Sequence, residues 1–407
     1  MRLLIADKLH PRAIEELRAL PVEVIYEPEL TKETLENTLD KFGILVVRST
    51  PVTGEAIAKA KNLNLIVRAG AEHHTIDVKA ASQRGIYVAH CPGKNGSAVA
   101  ELVMGMMLAL DRRIPDAVTS LRGGRWERSE YVKAEGLYGK TLGILGMGAI
   151  GREVALRAKG FGLNCIAWNR NFTPAKAAEL GVGYAASVEE LAKRSDILSV
   201  HLRLTERTRG IVSDKVLAAL PPRAMFLNFA RADLVDYAAL LTAVRERGLR
   251  AAVDVYPDEP KGKKVYVTDL FQGEPSATGG FMYGTPHIAA STDQAQLAVA
   301  AEAARVVRSF LFEGVVPNLV NVSHASAARF LLMLRMEDKV GTLANVLSVI
   351  KRHDINVEEI TNTVFESATA SSVKLKLLSR PTEACLHEIR AFEEVLHIEV
   401  VTLPSLA

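Results

Sequence analysis

Short apolar runs rich in β-branched residues alternate with amphipathic stretches from the first residues onward. RLLIAD, PRAIEELRAL, VEVIYE, TKETLENTLDKF and GILVVRS read in turn as strand, helix, strand, helix and strand. That alternation predicts a parallel sheet covered on both faces. It continues through NLNLIVRAG, a helix ending at Gly85, and the strand IYVAHCPG, whose Pro-Gly closes it. From Ser97 to Arg112 the run SAVAELVMGMMLALDR is apolar nearly all round, which predicts a long buried helix bridging two lobes. After the polar connector GGRWERSEYVKAEGLYG, the strand KTLGILG opens a second series. Helices at 150–159, 174–180 and 187–194 alternate there with LNCIAWN, VGYAA and DILSVHL. AMFLNFA, the helix YAALLTAVRERG and the strand LRAAVDVY follow, making a second doubly wound sheet.

The helix STDQAQLAVAAEAARVVRSFLFEG is predicted to end at Gly314, a good C-cap. Pro317 and NVSHASAA then read as a linker. From about Phe330 the pattern resets to strand FLLMLRM, helix TLANVLSVIKRH, strands NVEEITNTVF and SSVKLKLL, helix TEACLHEIRAF and strand VLHIEVVTL. This βαββαβ order is the ferredoxin-like plan.

Composition narrows the class of partner. The 407 residues divide into two or three domains at roughly 150 residues each. Fifty Lys and Arg against 47 Asp and Glu leave +3, without the concentrated basic surplus that binding nucleic acid demands. Cys91, Cys165 and Cys385 lie far apart with no CxxC pair, which fits a reducing cytoplasm better than a disulfide framework. No apolar run is long enough for a signal peptide or membrane span. The expected partner is therefore a small molecule, with neither nucleic acid nor membrane.

The chemistry concentrates at strand ends of the second series. Gly146-Met-Gly148-Ala149-Ile150-Gly151 is a GxGxxG turn directly after a strand and opening a helix. Gly146 permits the tight turn, Gly148 lets a pyrophosphate approach the backbone, and Gly151 lets the helix pack on the sheet. This predicts dinucleotide binding. The next strand does not end in the acidic residue that would hold an adenosine ribose; Trp168, Asn169 and Arg170 stand there. An amide accepts either ribose and a guanidinium pairs with a 2′-phosphate, so NAD and NADP both remain open.

Arg231 follows the strand AMFLNFA, Glu259 lies just beyond LRAAVDVY, and His287 sits in the Pro-bounded turn TPHIAAST. In an open α/β sheet, ligands bind outside the carboxyl ends of the strands. Oxidising a secondary alcohol needs a base for the hydroxyl proton, a carboxylate to hold that base and a cation to fix an anionic substrate. The three residues supply those roles.

With these motifs in place the chain resembles the D-isomer-specific 2-hydroxyacid dehydrogenase family, most closely its phosphoglycerate dehydrogenase branch. LGILGMGAIG, SVHLRLTERTRGIV, LNFARADLVD, DVYPDEP and TPHIAAST carry the resemblance, with VRST at 47–50 and VRAG at 67–70. It implies a Rossmann-type cofactor domain (97–290) inserted in a flavodoxin-like substrate domain (1–96 and 291–322), then an ACT regulatory domain (329–407). It implies that Arg231 binds the substrate carboxylate, that His287 is the acid/base, and that Glu259 orients it and raises its pKa. Arg48, Ser49, Arg68, Ala69 and Gly70 would line the substrate cleft. His201, Leu202, Phe229, Ala230, Asp254 and Ala290 would join the glycine turn, Asn169 and Arg170 around NAD. The implied reaction is oxidation of 3-phosphoglycerate. The alternatives are reduction of glyoxylate, hydroxypyruvate or another 2-keto acid, and a non-catalytic dinucleotide sensor.

The ACT resemblance rests on Asp338-Lys-Val-Gly341-Thr-Leu-Ala with Asn356 at the second strand, and implies an amino-acid effector. A homo-oligomer, dimer or tetramer, is expected, since helices 97–112 and 291–313 are more apolar than one lobe needs. Several positions depart from the family pattern. Ala232 replaces a glycine and Arg203 a proline; Glu72, His73 and His74 stand where the family is compact; Met336 and Asp338 stand at the polar positions that in the family often hold a serine effector. No ligand trio accompanies His73-His74, so no metal is expected. Lys261, Lys263 and Lys264 form a basic run between Glu259 and His287 that reads as solvated, with contact to a phosphate as the alternative.

Overall fold

The computed structural model describes residues 1–260, 276–322, 326–366 and 368–404. The lysines at 261, 263 and 264 lie outside the described residues. The first sheet is parallel and runs β2-β1-β3-β4-β5, from β1 (Arg2–Ile5), β2 (Glu23–Tyr26), β3 (Ile44–Val47), β4 (Leu65–Arg68) and β5 (Tyr87–His90). β3 is buried along its whole length because helices cover both faces, as its uninterrupted apolar run ILVV requires. Ile14 and Leu17 of helix Pro11–Arg18 share one face with Ala303, Val306 and Val307 of helix Asp293–Glu313. Leu35, Ala56, Ile57 and Ala81 cover the other. The chain thus leaves this sheet before helix Gly96–Arg112 and comes back to it through helix Asp293–Glu313.

The second sheet runs β12-β11-β10-β9-β6-β7-β8. Its strands are β6 (Thr141–Leu145), β7 (Asn164–Trp168), β8 (Gly183–Tyr184), β9 (Ile197–Val200), β10 (Met225–Asn228), β11 (Arg250–Val253) and β12 (Phe281–Gly284), all parallel. The order reverses between β6 and β9, the switch point at which doubly wound sheets bind ligands.

Several elements lie beyond what the apolar pattern predicts. β12 falls inside a stretch that reads as loop; its FMYG buries only Met282, as expected of a short edge strand with little apolar pattern. The helices Ile114–Arg122, Arg128–Tyr131 and Asp214–Ala219 are likewise additions to the expected elements. The stretch after Gly314 that reads as a linker is instead tied along β5. Val320 N–H donates to the Val88 carbonyl (2.9 Å), and Asn321 Oδ1 accepts from Val88 N–H (2.9 Å). Residues 323–325 of that stretch lie outside the described residues.

The chain divides into two compact units after Asn321. In the second, β13 (Phe330–Glu337), β14 (Val357–Val364), β15 (Ala370–Leu377) and β16 (Val395–Thr402) form an antiparallel sheet ordered β14-β15-β13-β16. Leu332, Leu334, Met336, Val373, Leu375 and Leu377 alternate onto one face and pack with Val346, Ile350, Leu386 and Ile389 from its two helices. The fold is therefore α/β with two parallel doubly wound sheets and a ferredoxin-like βαββαβ unit. No described helix is long and apolar enough to cross a membrane.

Candidate active site

Five adjacent parallel strands end on one edge of the second sheet, and each is followed by an expected site residue. Gly146 follows β6, His201 β9, Arg231 β10, Asp254 β11 and His287 β12.

The three glycines of the first turn are needed for different reasons. Gly146 has φ +109°, and a Cβ there would stand 2.8 Å from the His201 carbonyl carbon; a Cβ on Gly151 would collide with the Gly146 carbonyl oxygen. Both are required by the fold itself. At Gly148, by contrast, nothing among the described residues lies within 4 Å of a Cβ position, and the residue caps helix Ala149–Gly160 with no side-chain hydrogen bond. The helix's first amides are thus left for a ligand, and Gly148 and Ala149 are exposed beside them. His201 is buried and neutral: burial drops its pKa to about 3. Its Nε2 bonds Ser199 Oγ at 2.8 Å, while its Nδ1 has no hydrogen-bond partner among the described residues. An open glycine cradle and an orphaned buried nitrogen at the switch point both suit a dinucleotide. Asn169 Oδ1 accepts from Arg170 N–H (3.0 Å), which closes the turn after β7 and leaves the Arg170 side chain exposed.

His287 Nδ1 bonds Glu259 Oε2 at 2.7 Å, and Glu259 Oε1 accepts from Tyr256 N–H at 3.0 Å. His287 is in the left-handed region, φ +53°, a conformation that costs a non-glycine residue about 1 kcal/mol or more and persists where its surroundings fix it. The fixing group is Asp254. Buried to 1% exposure, it accepts from Thr285 Oγ1 (2.6 Å), Ile288 N–H (2.8 Å) and Ala289 N–H (2.9 Å). Asp254, expected at the cofactor, lies beneath the turn and holds it.

Arg231 is placed by Asn228, wholly buried, whose amide donates to the Arg231 carbonyl (3.0 Å) and accepts from Ala230 N–H (3.2 Å). Its guanidinium donates through Nη1 to the Ala230 carbonyl (2.6 Å), and Nη2 meets Glu72 Oε2 at 2.6 Å. Burial alone would raise the Glu72 carboxyl, but Arg231, with His74 and Arg203 beyond it, holds it below the usual carboxylate range.

On the first sheet, Asp7 beyond β1 shapes the 48–50 loop. Its carboxylate accepts from the backbone amides of Arg48, Ser49 and Thr50 at 2.7–3.1 Å and from the hydroxyls of Ser49 and Thr50. Arg68 lies over the backbone of Gly70, where any Cβ would strike its guanidinium, and its buried Nε has no partner among the described residues. A cavity of about 160 Å³ is lined by Lys8, His10, Arg48, Arg68, Ala69, Gly70 and, from the His287 turn, Ala290. The structure thus brings four of the five expected cleft residues together. Asp7, Asn228 and Glu72 are not among the site residues that sequence reasoning reaches; Glu72 alone gives a signal, as a charge in a compact motif.

Of the three effector residues, Asp338 and Gly341 share one turn and Asn356 lies apart from them within one chain. Asp338 N–H donates to Thr369 at the start of β15, whereas the Asn356 carbonyl accepts from Leu378 just past its end. The stretch from Thr369 to Leu378, β15 with one residue at each end, separates those contacts by roughly 30 Å at about 3.3 Å per residue. Asn356 Nδ2 bonds Glu358 (2.7 Å) and Gly341 caps helix Thr342–Arg352. His73 meets His90 edge-on, centroids 5.7 Å apart. Among the described residues no three His, Cys, Asp or Glu side chains group to hold a metal.

Residues 104–289 match the family model described as D-isomer specific 2-hydroxyacid dehydrogenase, NAD binding domain. The chain is 38% identical over 349 residues to a D-3-phosphoglycerate dehydrogenase of Methanocaldococcus jannaschii; the match covers 84% of this chain and 64% of the relative. This chain therefore spans less than two thirds of that relative's length. A glyoxylate reductase structure from Paecilomyes thermophila superposes with TM-score 0.67 at 31% identity, covering 79% of this chain and 98% of that one. The NAD+-bound 3-phosphoglycerate dehydrogenase of Entamoeba histolytica gives TM-score 0.63 at 28% identity over 79% and 99%. The chain belongs to the D-isomer-specific 2-hydroxyacid dehydrogenase family and carries its NAD-binding domain.

Proposed function

We propose that this protein oxidises 3-phosphoglycerate at C2 to 3-phosphohydroxypyruvate, the entry step of serine synthesis, with NAD as oxidant. The observation that carries the chemistry is the 2.7 Å pair of Glu259 and His287 on the same sheet edge as Arg231. With Nδ1 committed to Glu259, Nε2 of His287 is the nitrogen left to take the C2 hydroxyl proton. Arg231 holds the substrate carboxylate and fixes C2. The cationic cavity of Lys8, Arg48 and Arg68 favours a substrate with a second anionic group, such as a phosphate.

Gly146, Gly148 and Gly151 take the cofactor's pyrophosphate at the helix N-terminus, and Asn169 and Arg170 meet its adenosine ribose. His201, Leu202, Phe229, Ala230 and Ala290 border the rest. The bound nicotinamide supplies the hydride acceptor. Domain roles follow as part of this reading: 1–96 with 291–322 for substrate, 97–290 for cofactor, 329–407 for an amino-acid effector. Because Asp338 and Asn356 lie at opposite ends of β15, an effector site using both requires two copies of the chain.

A homo-oligomer also belongs to this reading, on different grounds from those the sequence offered. The apolar side chains of helix Gly96–Arg112 are mostly buried within the chain, whereas Leu121, Trp126 and Tyr138 are 57%, 81% and 88% exposed.

The test is an initial-rate comparison of 3-phosphoglycerate with non-phosphorylated 2-hydroxy acids, run with NAD and NADP. Higher kcat/KM for 3-phosphoglycerate supports the proposal. The second reading, a glyoxylate or hydroxypyruvate reductase, is favoured by the 31% identity to the glyoxylate reductase and predicts the reverse order.

A further inference from the structure

The loop after β4 carries into the cleft a carboxylate for which the reaction proposed above has no role. Glu72 Oε2 lies 2.6 Å from Arg231 Nη2 and 3.3 Å from His74 Nδ1. The contact joins the two sheets: Glu72 follows a strand of the first and Arg231 a strand of the second. Both side chains are about one-third exposed, 32% and 36%, so a small ligand can reach the contact from solvent. The remaining terminal nitrogen of Arg231 is turned back onto the Ala230 carbonyl. Two of the guanidinium's five N–H donors are thus engaged, and a carboxylate that binds through Nη2 meets Glu72 already there. Glu72 stays ionised for this contact, since Arg231 holds it below the usual carboxylate range against the effect of burial. Around the pair the charge is otherwise positive, from Arg48, Arg68 and Arg203.

Resting on the assignment of Arg231 as the carboxylate-binding residue, we propose that Glu72 is an intramolecular competitor for that arginine. It holds the place of the substrate carboxylate, which binds by displacing it, so Glu72 sets KM without taking part in the chemistry.

The thermodynamics make this specific. If Arg231 is engaged by Glu72 for most of the time, the dissociation constant of any ligand bound through Arg231 rises by the reciprocal of the free fraction. A partly exposed ion pair supports a factor of roughly two- to sixfold. The factor applies to every carboxylate that uses Arg231, whatever else it carries, and does not apply to a ligand without a carboxylate. kcat stays unchanged, because Glu72 has left Arg231 in the complex that reacts.

The experiment compares wild type, Glu72→Gln, Glu72→Gly and Glu72→Asp as full chains saturated with NAD. Calorimetric titration with malonate, a dicarboxylate with no hydroxyl to oxidise, reads binding without turnover. Glu72→Gln and Glu72→Gly are expected to tighten malonate several-fold and to lower KM for 3-phosphoglycerate by a similar factor at constant kcat. Glu72→Asp, which keeps the charge, is expected to stay closer to wild type, and the methyl ester of the substrate acid should show no gain. Unchanged malonate affinity in both neutral variants overturns the proposal. So does a fall in kcat at constant KM, because it would mean that Glu72 orients Arg231. If malonate tightens and 3-phosphoglycerate is not oxidised by any form, the competitor role stands and the substrate assignment falls. Normal oxidation with unchanged affinities overturns the competitor role and leaves the substrate assignment standing.

Discussion

Two carboxylate pairs border the cleft at nearly the same distance, Glu259 with His287 at 2.7 Å and Glu72 with Arg231 at 2.6 Å, and they are held in opposite ways. The first is made within one sheet edge. Tyr256 N–H fixes Glu259, and Asp254 anchors the amides of Ile288 and Ala289, so that His287 keeps a backbone conformation it would not choose alone. The second pair spans two sheets. On the Arg231 side Asn228 fixes the backbone, while the guanidinium is held by its own neighbour's carbonyl and by Glu72. Similar distances therefore carry different meanings: a pair within one braced turn is suited to persist through a reaction cycle, and a partly exposed pair between two elements is suited to exchange.

Replacing His287 should give the largest effect on the braced pair. His287→Ala should lower kcat by about 10²- to 10⁴-fold, the range for loss of a general base. NAD affinity, read by fluorescence titration, should be unchanged. Near-normal turnover would show that the pair is structural and remove the difference between the two.

Glu259→Gln comes next. It keeps the shape and a hydrogen-bond acceptor but loses the charge, so His287 is less firmly oriented. A drop in kcat of up to about a hundredfold is expected, since a small misplacement of a reacting group has that scale of effect. A loss as large as that of His287→Ala would mean that Glu259 does more than hold the ring. Glu72→Gln should act in the opposite direction, on KM alone. The two neutral variants together thus give the sharpest comparison: one impairs turnover, the other improves affinity.

Which parts of this are legible in the sequence follows from how local each signal is. The glycine turn, Arg231, Glu259 and His287 each lie near the end of a strand or in a turn with its own motif, so strand order alone lays them on one edge. The parts that brace them are not legible. Asp7, Asn228 and Asp254 act by accepting amides of loops distant in the chain or by closing a turn upon itself, and an Asp or Asn at a strand end gives no sign of which amide it will meet. β12 lacks an apolar alternation because only Met282 is buried. The effector residues group by motif, yet register places Asp338 and Asn356 at opposite ends of one strand. Glu72 is visible as a departure from a compact motif, but its partner Arg231 belongs to the other sheet, and only the tertiary fold brings them together.

The smallest expected effect concerns a third carboxylate, which supplies a control remote from the chemistry. Glu302, 7% exposed on helix Asp293–Glu313, accepts from Arg305 Nη2 (2.6 Å) and Asn318 Nδ2 (2.7 Å) and pairs with Lys94 Nζ at 3.2 Å. It ties the segment leaving the first sheet to the helix that returns and to the strand-like stretch behind it. The Arg305 hydrogen bond, against the opposing effect of burial and with help from Asn318 and Lys94, pulls its pKa down to about 2 from 4.5. A group whose folded pKa is depressed stabilises the fold above its unfolded pKa and ceases to do so as pH falls through the folded one. Glu302→Gln should therefore melt below wild type near pH 7, and the gap should narrow between pH 4.5 and 2 until the two curves meet. A gap that stays constant with pH would mean that the amide fails by shape and that the charge contributes nothing. With either outcome kcat and malonate affinity should be unchanged, because Glu302 ties segments of the first sheet's lobe and touches neither of the pairs at the cleft.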